Sequence, residues 1–231
     1  MTDAADVPGA SISWTLVIPV KGAPAAKTRL APEVADDARA MLARAFALDT
    51  IAAALAARSV ARVIVVGDDP GLAGGAEFLA EPIDVPRSLG GAIAHGIAHA
   101  RAGLDGLSRL DRREGIAVLL GDLPALRPDE LDTALEAASR HPLAFVRDAD
   151  ATGTTLATAT AGATAAFEPR FGPDSAARHV AAGFVELAAS DLTGLTRDVD
   201  TVDALEAVLH DGVGDHTAEV VAHLADRKGT I

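Results

Sequence analysis

Three short apolar runs constrain this chain most, and each stops abruptly in a loop. They are residues 14–20 (WTLVIPV) before Lys21-Gly22, residues 63–66 (VIVV) before Gly67-Asp68, and residues 116–120 (IAVLL) before Gly121-Asp122. Unbroken runs of Val, Ile and Leu read as strands buried on both faces. Helical patterns lie between them. A helix is expected from about residue 33 to 57, with Glu33, Asp36 and Asp37 in its first turn and an apolar stripe of Met41, Ala45, Leu48, Ala52 and Leu55. Further helices are expected over 89–102, from Pro128 to about 139, and near 175–182, 202–209 and 218–225. EFLAEP, LAFVRD, TTLATAT and FVELAA read as additional strands. Strands alternating with helices predict an α/β fold: about seven strands in a mostly parallel sheet, helices on both faces, one domain over 1–231, and a flexible N-terminus over 1–12. In such sheets ligands bind outside the carboxyl ends of the strands.

Hydrophobic residues make up 49% of the chain, enough for a sizeable core, but aromatics make up only 3%, so that core must rest on aliphatic side chains. A net charge of −13 repels polyanions and argues against a nucleic-acid partner. With no cysteine there is no disulfide framework, thiolate metal site or Cys nucleophile. The first residues lack a basic leader, and no apolar run approaches the roughly 20 residues of a membrane span. The expectation is a cytoplasmic protein, a monomer or small homo-oligomer, with no membrane partner.

Charge is distributed unevenly. Of three lysines in the chain, Lys21 and Lys27 fall in the loop after the first strand, beside Arg29. Scarce cations gathered there suit phosphates, and Gly22 lets the backbone approach a ligand, although the order is not that of a Walker loop. The alternative is an ordinary solvated loop. Asp122 ends the most apolar strand, where a carboxylate is desolvated unless it meets a cation or donors. It either binds Mg²⁺ or caps the following helix. In Arg197-Asp198-Val199-Asp200-Thr201, alternation puts both acids on one side of an extended segment. They either share a metal or cap the helix at Val202. Hydroxyl residues around Gly153 offer donors, and Ser175 opens a helix, either as an anion site or as a cap. His95 and His99 share a helix face, but Gly96 stands where a zinc-protease motif needs Glu, so they read as packed or surface histidines.

Together the segments PVKG-x4-KTRL, GDLP, TGTT, FGPDSAARH and RDVDT resemble the 2-phospho-L-lactate/phosphoenolpyruvate guanylyltransferases of coenzyme F-420 biosynthesis, over residues 14–209. The resemblance implies a metal-dependent nucleotidyltransferase that moves GMP from GTP to phosphoenolpyruvate, or to 2-phospho-L-lactate, and releases pyrophosphate. It implies Mg²⁺ on Asp122, Asp198 and Asp200. It places the triphosphate on Lys21, Lys27 and Arg29, the base near Leu89, Gly90 and Gly91, and the phosphorylated acid on Thr154, Gly172 and Ser175. Phosphoenolpyruvate is preferred because Ala- and Arg-rich, Lys-poor usage looks actinobacterial, and bacterial relatives are associated with that acid. Two rival readings are a molybdenum-cofactor-type nucleotidyltransferase, which would want Arg-Met-Gly ending its first loop, and a non-catalytic nucleotide-binding module.

Overall fold

The computed structural model of the chain describes residues 12–20, 34–82, 86–104 and 114–228. Among these the element order is β1 (Ser13–Pro19), α1 (Asp36–Ala56), β2 (Val60–Gly67), a 3-10 turn (Pro70–Leu72), β3 (Glu77–Ala80), α2 (Leu89–Leu104), β4 (Glu114–Leu119), α3 (Pro128–Ala138), β5 (Leu143–Arg147), β6 (Thr154–Ala159), a second 3-10 turn (Thr164–Ala166), α4 (Ser175–Ala181), β7 (Val185–Glu186), α5 (Thr193–Thr196), α6 (Val202–Asp211) and α7 (Asp215–Lys228). The strands form one seven-stranded sheet in the order β3-β2-β1-β4-β6-β5-β7. Pairings are parallel except where β6 runs against β4 and β5. The mostly parallel α/β sheet expected from the apolar runs is therefore present, with one strand reversed.

Both faces are covered, which is why the central strands carry no alternation. On one face α1, α3 and α5 pack against Leu16, Ile18, Val65, Ala117, Leu119 and Leu156. On the other, Ile93 and Ile97 of α2 and Ala176 of α4 pack against Val17, Ile64, Val66, Val118 and Ala157. Gly96 sits where α2 crosses β1 and β2. A Cβ there would stand 2.4 Å from Val17 Cγ1, so glycine at this position serves close helix–sheet approach. A third layer places α6 and α7 over α1, around Leu42, Phe46, Val199, Leu205 and Val208.

That third layer corrects the expected face of α1. Met41 and Leu48 are only half-buried, Ala52 and Leu55 are exposed, and of the expected stripe Ala45 alone is buried. The buried positions include Leu42, Phe46, Ile51, Ala53 and Ala54, because the helix is clamped between sheet and α7. An alanine-rich helix covered on two sides carries little contrast from which to read a single face. The segment read as a strand over 184–189 contributes just two residues to the sheet, and α5 lies where no element was expected.

Candidate active site at the carboxyl edge of the sheet

β1, β2, β4 and β5 all end at one edge of the sheet, and the reversed β6 begins there. Asp122 follows β4 at the centre of this edge. Its loop is fixed through backbone groups. The Val199 N–H donates to the Asp122 carbonyl (3.1 Å), and the Gly214 N–H donates to the Pro124 carbonyl (2.8 Å). The Leu123 N–H donates to Thr50 Oγ1 (3.0 Å), and Thr50 in turn donates to the Phe46 carbonyl one helical turn earlier (2.8 Å). Segments distant in sequence are thus stitched around one loop.

The Val199 bond has a direct consequence. Val199 is fully buried, so its neighbours Asp198 and Asp200 are both turned toward Asp122. Oxygen atoms of the three carboxylates lie within 4.8 Å of one another. A set this close could hold one metal ion, and carboxylate oxygens suit a hard cation. Neither Asp122 nor Asp200 is the N-cap of the helix that follows it. The N-cap of α3 is Arg127, and that of α6 is Thr201, whose hydroxyl accepts from the Ala204 N–H at 3.2 Å. The capping alternatives for Asp122 and Asp200 are therefore removed.

Thr50 gives a test of this scaffold. Thr50→Val keeps shape but leaves the buried Leu123 N–H without its acceptor, at a cost of about 1–3 kcal/mol. The expected result is a melting temperature lower by several degrees, with a higher Mg²⁺ concentration for half-maximal activity. A variant that melts with the wild type would show that the Leu123 bond does not hold the loop.

The second constellation lies one strand over. The Asp148 carboxylate accepts from the Thr152 (3.0 Å) and Gly153 (2.7 Å) N–H groups, closing the turn into β6. A register shift then pairs Arg147 with Thr154 and Val146 with Leu156, so Thr155 is an extra residue. This bulge turns Thr154 away from the face that buries Leu156 and toward α4. There Thr154 Oγ1 lies 3.0 Å from His179 Nδ1. Thr154 and Ser175 are almost wholly buried, whereas Gly172 is exposed, with φ +110°. Ser175 is not the cap of α4: that position is Asp174, at φ 53°. The Ala176 N–H donates to the Thr152 carbonyl (3.1 Å), which joins the TGTT and FGPDS segments.

His179, quoted in the sequence motif without a role, is the buried centre of this cluster. Its Nε2 accepts from the Arg170 N–H (2.8 Å), and Nδ1 faces the Ser175 carbonyl (2.9 Å). Burial pushes its pKa down to about 4; the Ser175 carbonyl opposes that shift, while Arg178 and Arg170 add to it. The ring is therefore neutral near pH 7.

Leu89, Gly90 and Gly91 open α2 at the same edge. Ser88 Oγ accepts from the Gly91 N–H (3.0 Å), and the space beside Gly90 is open. His99 is taken up by Glu77 and Arg62 on the far side of α2, and neither His95 nor His99 joins the acidic cluster. Lys21, Gly22, Lys27 and Arg29 lie outside the described residues.

Close relatives were found across almost the whole chain. It is 45% identical over 218 residues to the phosphoenolpyruvate guanylyltransferase of Thermomonospora curvata, covering 93% of this chain and 91% of that protein. It is 46% identical over 219 residues to the phosphoenolpyruvate guanylyltransferase of Streptomyces avermitilis, covering 92% and 96%. The chain belongs to the phosphoenolpyruvate guanylyltransferase family. No family model matches it. Solved structures agree in fold. One from Desulfovibrio desulfuricans G20, described as a nucleotide-diphospho-sugar transferase, superposes with a TM-score of 0.64 at 19% identity, covering 92% of this chain and 95% of that one. A 4-diphosphocytidyl-2C-methyl-D-erythritol synthase superposes at 0.54 and 13% identity, covering 87% and 98%. No described helix is long and apolar enough to cross a membrane.

Proposed function

We propose that the chain transfers GMP from GTP to phosphoenolpyruvate, forming enolpyruvoyl-2-diphospho-5'-guanosine and pyrophosphate, the step in coenzyme F-420 biosynthesis that its sequence motifs imply. The observation that carries this is the convergence of Asp122, Asp198 and Asp200 at the sheet edge, in a chain whose relatives bear that activity in their names. An acceptor phosphate oxygen attacks the α-phosphorus of GTP, the bond to the β-phosphate oxygen breaks, and pyrophosphate leaves. The acceptor is already an anion, so no strong general base is required, in keeping with a neutral, buried His179. Mg²⁺ bound by Asp122, Asp198 and Asp200 supplies charge neutralisation at the phosphates. Lys21, Lys27 and Arg29 hold the triphosphate, and Leu89, Gly90 and Gly91 border the base. The Gly172–Ser175 turn holds the acid from its exposed backbone, with Thr154 beneath it. Positioning and charge neutralisation together account for the rate.

Phosphoenolpyruvate and 2-phospho-L-lactate differ at the C2–C3 bond, double with a planar C2 in one and single with a tetrahedral C2 in the other. A shape difference of that size is worth about 1–3 kcal/mol in a pocket. With GTP, Mg²⁺ and both acids at equal concentration, the enolpyruvyl adduct is expected to dominate by mass. A dominant phospholactyl adduct would reverse the choice of acceptor and leave the metal site standing. Pyrophosphate release from neither acid would sink the activity.

A further inference from the structure

The turn from Arg170 to Ser175 contains two residues at positive φ, Gly172 (110°) and Asp174 (53°). A left-handed non-glycine residue costs on the order of 1–3 kcal/mol and persists only where its surroundings over-determine it. Several contacts among the described residues brace this turn. The Ser175 N–H donates to the Gly172 carbonyl (3.1 Å), Arg178 Nη2 donates to the Phe171 carbonyl (3.0 Å), and the Arg170 N–H donates to His179 Nε2 (2.8 Å). The first is internal to the turn and the second comes from an exposed side chain. The third runs to a buried ring. The His179 ring is fully buried, stacked on Phe145 at 5.2 Å, with Phe171 and Phe184 edge-on at 5.5 and 4.8 Å. A backbone N–H can only donate, so Nε2 carries the lone pair and Nδ1 carries the proton, shared between the Ser175 carbonyl and Thr154 Oγ1. One ring therefore ties the start of the turn, the first residue of α4 and the first residue of β6 together.

We infer that His179 is a positioning residue for the phosphorylated acid: it holds the Arg170–Ser175 turn against Thr154 and sets affinity for the acceptor without touching it. This rests on the assignment of Thr154, Gly172 and Ser175 to the acceptor. Its two nitrogens separate the positioning role from plain core packing. Gln at 179 can place an amide oxygen near the Nε2 position and accept from Arg170. Asn reaches only as far as Nδ1, keeping a donor for Ser175 but leaving the Arg170 N–H unmet. Arg170→Pro removes that N–H from the other end, at a position whose side chain is exposed, and leaves the ring intact.

The test is steady-state pyrophosphate release by the full chain with GTP, Mg²⁺ and phosphoenolpyruvate, below the melting temperature of each variant. His179→Asn and Arg170→Pro are expected to raise KM for phosphoenolpyruvate about tenfold or more, within the range of a lost hydrogen bond to a buried partner. His179→Gln is expected to stay within about threefold, and KM for GTP to stay within about twofold in all three, since the described partners of His179 include no residue assigned to the nucleotide. The inference is overturned if His179→Asn and Arg170→Pro keep the wild-type KM for the acid. It is equally overturned if His179→Gln and His179→Asn raise both KM values alike, the result of a merely structural role. A wild type that binds GTP but forms no adduct with the acid would sink the acceptor assignment itself.

Discussion

Asp122→Asn is expected to keep the fold and lose about 100-fold or more in turnover. The fold survives because the Asp122 loop is held through its backbone: the bonds from Val199 to the Asp122 carbonyl, from Leu123 to Thr50 and from Gly214 to Pro124 do not involve the substituted group. Turnover falls because one of three clustered carboxylates becomes a neutral amide, a poor ligand for a hard cation. Groups that merely orient metal ligands are worth about 10–100-fold, so a direct ligand belongs at the upper end or beyond. In chelator the variant is expected to unfold cooperatively like the wild type, because those backbone bonds are unchanged. Pyrophosphate release across a Mg²⁺ titration, beside thermal melts in chelator, reads both. Near-normal turnover at low Mg²⁺ would take Asp122 out of the metal site.

What was legible in the sequence follows from what each signal depends on. Strands β1, β2 and β4 could be read because burial on both faces demands unbroken apolar runs, and local composition records that demand. Asp122 could be suspected because a carboxylate ending such a run is costly without a partner. The pairing of Asp198 with Asp200 followed from alternation alone. Their approach to Asp122 did not, because it depends on the Val199 N–H finding the Asp122 carbonyl, a contact between residues 77 apart in sequence. The reversal of β6 and the bulge at Thr155 depend on neighbouring strands, so nothing within TTLATAT announces them. Asp49 is a similar case. It reads as one more polar residue of α1, yet it is buried and accepts from the His216 (3.0 Å) and Thr217 (2.9 Å) N–H groups, capping α7 from afar. His179 did leave a signal. A histidine four residues after Ser175 on a short helix shares its face, and a buried face with an ionisable ring demands partners.

Gly194→Ala is expected to damage stability and activity together. Gly194 lies in α5, the short helix that leads directly into Arg197-Asp198-Val199-Asp200. Its N–H donates to Glu130 Oε1 (3.0 Å), and Glu130, itself 2% exposed, accepts from the Arg127 N–H through its other oxygen (3.1 Å). A Cβ on residue 194 would lie 2.2 Å from the Ala125 carbonyl oxygen and 2.5 Å from Glu130 Oε2. The Ala125 contact is backbone and cannot rotate away, so α5 must back off and stretch its bond to Glu130. Overpacking and a weakened bond to a buried carboxylate together cost about 2–5 kcal/mol, more than the roughly 1 kcal/mol that alanine gains over glycine in a helix. For a chain of this size that means a melting temperature lower by about 5–15 °C. The displaced helix also carries Asp198 and Asp200 away from Asp122, and a shift of about 1 Å in positioned groups costs on the order of 100-fold in rate. Gly162→Ala is the control. A Cβ there meets nothing within 4 Å, so stability is expected to stay within about 0.5 kcal/mol and activity to be unchanged. If Gly194→Ala melts with the wild type while retaining full turnover, α5 does not set the geometry of the acidic cluster, and the close approach to Ala125 is incidental to the site.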